Sequence, residues 1–95
     1  MTRQALVTFD LNAVASVREL HALMAKTLQF PDWYGPNWDA FWDVIIGLVE
    51  MPEKLQLIGW ASFEERFPRD AWIMKKCLSD LAAEYPRNAS SVEYL

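Results

Sequence analysis

Residues 30–43 read Phe30-Pro-Asp-Trp-Tyr-Gly-Pro-Asn-Trp-Asp-Ala-Phe-Trp-Asp43. Two prolines and a glycine mark 29–36 as a loop. Asn37 then offers a side-chain oxygen to the free N–H groups of a helix start. Trp38, Phe41, Trp42, Ile45 and Val49 follow at helical spacing and predict a helix over 38–50, closed by Pro52. That stripe should face a core. Asp39 and Asp43 stand one turn apart on the other side, where Ile46, Gly47 and Glu50 continue.

Outward from this helix, the chain reads as alternating strands and helix pairs. Ala5 to Leu11 is short and β-rich, a strand. Ser16-Val-Arg-Glu19 is a capping box. Val17, Leu20, Leu23, Met24 and Leu28 place a helix over 16–28, and Pro31 stops it. Leu55 to Ile58 is a short apolar strand. Ser62-Phe-Glu-Glu65 is a second capping box, opening a short helix that ends at Pro68. Asp70 can cap a last helix whose buried stripe is Ile73, Met74, Cys77, Leu78, Leu81 and Tyr85. Pro86 closes it, and Ser91 to Leu95 is a weak strand. A β-α-α-β-α-α-β order calls for parallel strands joined by right-handed crossovers. The expectation is an α/β fold, a three-stranded parallel sheet covered by about four helices, in one domain over 1–95.

Composition narrows the function. The chain has 95 residues, 53% of them hydrophobic, too apolar for a disordered segment. Thirteen Asp and Glu oppose nine Lys and Arg, for a net charge of −4. Nucleic-acid binding runs on basic patches, so a generic DNA or RNA binder is disfavoured. The acidity is concentrated: residues 27–53 hold Asp32, Asp39, Asp43, Glu50 and Glu53 with no Lys or Arg. The other 68 residues carry nine bases against eight acids. One cysteine, Cys77, precludes an internal disulfide and fits a reducing compartment. The start lacks a signal-peptide pattern, and no apolar run approaches the roughly 20 residues of a membrane span. The expected setting is the cytoplasm, with no membrane partner, no cofactor and a monomeric state.

Each candidate residue has a plain reading beside a functional one. Asp39 and Asp43 could be ordinary acids on a solvated helix face. They could equally form a carboxylate patch built to meet cations. An aromatic loop beside them, the apolar Ile46 near an exposed face and a helix-interior Gly47 favour the second. Paired carboxylates also suggest a glycosidase-like acid and base, but these lie on one helix turn, and the chain is short for a sugar cleft. No third ligand has metal-site spacing. The single histidine, His21, lies among apolar positions of its helix and reads as partly buried and hydrogen-bonded. Cys77 reads as core, as does Trp60. Trp72 is core or rim. Trp33 and Tyr34, on a punctuated loop, read as an exposed aromatic pair of the kind that anchors an interface.

The motif Tyr34-Gly35-x-Asn37-x-Asp39-Ala40-x-Trp42-Asp43 resembles barstar and its relatives, intracellular inhibitors of barnase-type ribonucleases. Leu20-His-Ala-Leu23, Gly47, Val49-Glu50 and Trp60-x-x-Phe63-Glu64 extend the resemblance over nearly the whole chain. It implies a non-enzymatic inhibitor, or immunity protein, that plugs a ribonuclease active site with its second helix and the loop before it. By the resemblance, Asp43 meets the enzyme's phosphate-binding arginines and catalytic histidine, with Asp39 as companion. Trp33 takes the place of a family tyrosine that packs on that histidine. Tyr34, Gly35 and Asn37 shape the loop, Trp42, Ile46, Gly47 and Leu48 border the contact, and Asp70 stands in for an outlying glutamate. Pro36, Ile46 and Leu48 depart from the family pattern. They leave the enzyme open between a secreted ribonuclease and a toxin domain. The alternative is an interaction module of the same fold that binds a basic partner other than a nuclease.

Overall fold

Three short strands, β1 (Leu6–Asp10), β2 (Lys54–Ile58) and β3 (Ser91–Tyr94), form one parallel sheet in the order β1-β2-β3. They belong to a computed structural model that describes residues 3–95. A 3₁₀ turn (Leu11–Ala13), α1 (Val17–Leu28) and α2 (Trp38–Ile45) lie between β1 and β2. α3 (Trp60–Arg66) and α4 (Pro68–Glu84) lie between β2 and β3. The expected parallel α/β arrangement with four helices is present.

Strand alternation sets the sheet's two faces. Val7 and Phe9 pair in register with Leu55 and Leu57, and all four are buried. Val92 and Tyr94 continue that face, half-buried against the core. Leu20, Met24, Phe41, Val44, Ile45, Met74, Leu78 and Leu81 cover it from the helices. The helices cover the sheet on this face, as expected, and the opposite face is open. Leu6, Thr8, Asp10, Lys54 and Ile58 are exposed there. Thr8 donates to Gln56 at 2.9 Å, Gln56 donates to Glu93 at 2.8 Å, and Lys54 lies 3.7 Å from Glu93. These polar side chains satisfy one another in water, so that face needs no cover.

The first capping box forms: Ser16 Oγ accepts the Glu19 N–H at 3.1 Å, and the Glu19 carboxylate accepts the Ala15 N–H at 2.9 Å. The second does not. α3 starts at Trp60, ahead of Ser62, because Gly59 turns the chain at φ +78°. A Cβ there would sit 2.5 Å from the Asn12 side chain, so the turn needs glycine. Asp70 is not a cap either. Pro68 occupies the first turn of α4, where its missing N–H costs nothing, and Asp70 lies inside that turn. Ala71 joins the buried stripe of α4, while Tyr85 falls beyond the helix end and is 42% exposed. Trp60 is buried, as expected.

Candidate functional site

The loop before α2 is built on its own backbone bonds. Phe30 is buried and donates its N–H to the Ala25 carbonyl at 2.9 Å. Tyr34 donates its N–H to Pro31 at 3.0 Å, and Asn37 donates to Gly35 at 2.8 Å. Asn37 caps α2 as expected, its Oδ1 accepting the Ala40 N–H at 2.8 Å. A Cβ on Gly35 would come within 3.1 Å of the Asn37 side-chain nitrogen. Glycine at 35 therefore leaves room for the cap.

Trp33 and Tyr34 do not form an exposed pair. Trp33 is 65% exposed, but Tyr34 is half-buried with its ring edge-on to Phe30 at 4.8 Å. The Tyr34 hydroxyl lies 2.6 Å from His21 Nδ1. His21 is buried, and its Nε2 has no partner among the described residues. Burial pulls the His21 pKa below its ordinary value, against a smaller upward pull from Asp70. Burial also holds the Tyr34 phenol well above its ordinary range, so it stays neutral. The Trp38 ring packs 4.4 Å from His21, and Trp38 Nε1 donates to Asp70 Oδ1 at 2.9 Å. Asp70 is thus brought to the start of α2 from the first turn of α4.

On the outer side of α2, Asp39 and Asp43 are exposed. Asp32, Glu50 and Glu53, the other acids of the segment, are exposed too. Among the described residues none of the five is ion-paired; the pairs formed are Lys54–Glu93 and Lys76–Asp80. A basic residue one turn away would offset such charge. Here the charge is left uncompensated among the described residues.

α2 is shorter than its apolar pattern predicts. It ends at Ile45, with Ile46 as the half-buried C-terminal cap and Gly47 in the turn that follows. The Asn88 side-chain amide donates to the Ile45 carbonyl at 2.5 Å and to Val49 at 3.2 Å. Those bonds satisfy carbonyls a longer helix would have used internally. Gly47 is therefore not inside a helix, and a Cβ on it would meet open space. Leu48, 56% exposed, lies in the same turn.

Trp42 is half-buried, with its ring edge toward Tyr85 at 6.2 Å. A groove of about 350 Å³ runs between α2 and α4, lined by Trp38, Asp39, Trp42, Trp72 and Asp80 among others. Trp72 belongs to the rim, 65% exposed, and Cys77 is half-buried beneath it rather than core. Asp43 does not line this groove. The two acids lie one turn apart on one face, not across a cleft as a glycosidase pair would. Among the described residues no group of three His, Cys, Asp or Glu is placed to hold a metal, and no helix is long and apolar enough to cross a membrane.

Over residues 4–95 the sequence matches the family described as Barstar (barnase inhibitor). A 42-residue segment is 43% identical to a Bacillus subtilis (strain 168) protein named "Putative ribonuclease inhibitor YrdF". That match covers 44% of this chain and 46% of the relative, so it spans about half the relative's length.

Proposed function

The chain belongs to the barstar family, and from that premise we propose that it inhibits a ribonuclease by laying α2 and the preceding loop over the enzyme's basic active site. The observation that carries this reading is the set of five exposed acids, in a segment without Lys or Arg, that find no cation among the described residues. Carboxylates left uncompensated at a surface are matched to a cationic cleft, and an enzyme that binds RNA must present one. Asp39 and Asp43 occupy the positions of RNA phosphates, with Asp43 as the central acid. Trp33 is the aromatic anchor, since its ring is free to be buried by the partner. Gly35 and Asn37 hold the loop's shape, and Tyr34 supports it from beneath. Trp42, Ile46 and Gly47 border the contact at the far end of α2.

In this reading the protein works without catalysis of its own, as one domain. It meets either a secreted ribonuclease of barnase type or a toxin ribonuclease for which it is the immunity partner. It acts inside the cell that makes it. Uncompensated charge also steers the encounter: opposite fields raise the association rate in a salt-sensitive way. The test is capture by the immobilised protein from a mixture of small ribonucleases, at low and at high salt. Retention of an active ribonuclease, inhibited while bound and captured less at high salt, supports the reading. Capture of a basic protein without nuclease activity, or no ribonuclease at all, overturns it.

A further inference from the structure

Four side chains from four segments form one chain of contacts behind the proposed binding face. Asp70, on α4, accepts from Trp38 Nε1 at 2.9 Å. The Trp38 ring lies 4.4 Å from the His21 ring of α1. His21 Nδ1 is 2.6 Å from the Tyr34 hydroxyl of the loop. Two of its members adjoin the proposed contact groups in sequence: Tyr34 follows Trp33, and Trp38 precedes Asp39.

We infer that Asp70 is a positioning residue, which sets the spacing of Trp33 and Asp39 by hydrogen-bonding Trp38 rather than by presenting charge to the ribonuclease. The effect on binding rests on the inhibitor reading; the brace itself is a property of the free chain.

The chemistry of the links supports this assignment. One Asp70 oxygen is already engaged by the indole N–H, and the side chain is half-buried. An indole nitrogen only donates, so Trp38 needs an acceptor there. Trp38 in turn covers a histidine whose burial favours the neutral form, with Nε2 lacking a partner among the described residues. A proton added to His21 would place a charge against Tyr34, with only Asp70 on α4 to oppose it. The half-buried thiol of Cys77, also on α4, supplies no positive charge. Loosening Trp38 therefore loosens His21, and with it the side-chain hydrogen bond that ties Tyr34 to α1.

Asn and Ala at position 70 separate the two roles. Asp70→Asn removes the charge but keeps an oxygen acceptor for Trp38; Asp70→Ala removes both. Binding is measured against barnase, alongside hydrogen exchange of the Trp38 indole N–H in the free chain. The expected result is an affinity within about twofold of wild type for Asp70→Asn and a loss of about tenfold for Asp70→Ala, the scale of one hydrogen bond. Trp38→Phe should match Asp70→Ala, and the double variant should lose no more than either alone. In the free chain, the indole N–H stays protected in Asp70→Asn and loses protection in Asp70→Ala. Equal losses in both Asp70 variants would mean that Asp70 acts through its charge, and would overturn the inference. So would unchanged binding in both. If wild type fails to bind barnase, the binding claim falls with it. Unchanged exchange in Asp70→Ala removes the brace, whatever the binding result.

Discussion

Asn88, in the turn before β3, donates its side-chain amide to the carbonyl of Ile45, the last residue of α2. The contact spans 43 positions of sequence and fixes where the acidic helix stops. Asn88 Oδ1 also lies 3.5 Å from the Met51 N–H, so one side chain serves both ends of the turn after α2. Replacing it by alanine leaves part-buried carbonyls without their donor. Asn88→Ala should destabilise the fold by about 1–3 kcal/mol, read as a lower urea midpoint with an unchanged denaturant slope. A midpoint within error of wild type would show that water replaces the amide at no cost.

That bond also marks the boundary of what the sequence reveals about this region. The start of α2 is legible because its cap is local: Asn37 and Ala40 lie three positions apart. Its end is not, since Ile46, Leu48 and Val49 continue an apolar pattern and the residue that interrupts the helix lies far along the chain. Asp70 misleads in the same way. An acid near a helix start looks like a cap, but Pro68 takes the first turn and Trp38, distant in sequence, claims the carboxylate. Tyr34 shows the limit of reading loops as exposed: its phenol has a buried partner on α1. Trp33, with no such partner, is exposed as its loop position suggests. The open sheet face escapes periodicity because alternation in short strands tells which residues share a face, not whether anything covers it.

Asp43→Ala and Asp39→Ala should each leave the fold intact, because both side chains are exposed and unpaired among the described residues. Surface substitutions of this kind stay within about 0.5 kcal/mol of wild-type stability. Binding to a ribonuclease should respond far more, with Asp43→Ala costing about 2 kcal/mol or more, as a desolvated charged anchor does. Calorimetric titration beside a thermal melt separates the two effects. A Glu53→Ala variant, which removes one charge outside α2, provides the control and should lose much less affinity.

Trp33→Ala tests the aromatic half of the contact. The ring is 65% exposed in the free chain, so its removal should not lower the melting temperature. A slower association would point to steering, which an uncharged ring does not supply. The expected change is a faster dissociation, seen by surface-immobilised binding kinetics, since lost packing acts on the bound state.

Stability should fall with mild acid, and His21 gives the sign. Its pKa in the fold lies below the ordinary value of 6.5, chiefly through burial. The unfolded chain therefore takes up the proton first as pH drops. Stability from the neutral imidazole is complete above the unfolded pKa and is lost as pH falls from there toward the lower folded value. His21 is the only histidine, so no other imidazole contributes. Urea midpoints should decline between about pH 7 and pH 5.5, and His21→Leu should flatten that decline. An equal decline in the variant would assign it to other groups.

In the proposed inhibition, exposed carboxylates of α2 take the place of RNA phosphates. Steady-state cleavage of a short RNA by a ribonuclease that this protein captures, at increasing concentrations of the protein, is the direct test. Competitive inhibition is expected: the apparent KM rises, kcat is unchanged, and added salt weakens the effect. Asp43→Ala should lose most of that inhibition. Cleavage that continues at an unchanged rate, or inhibition that lowers kcat and leaves KM alone, would contradict it.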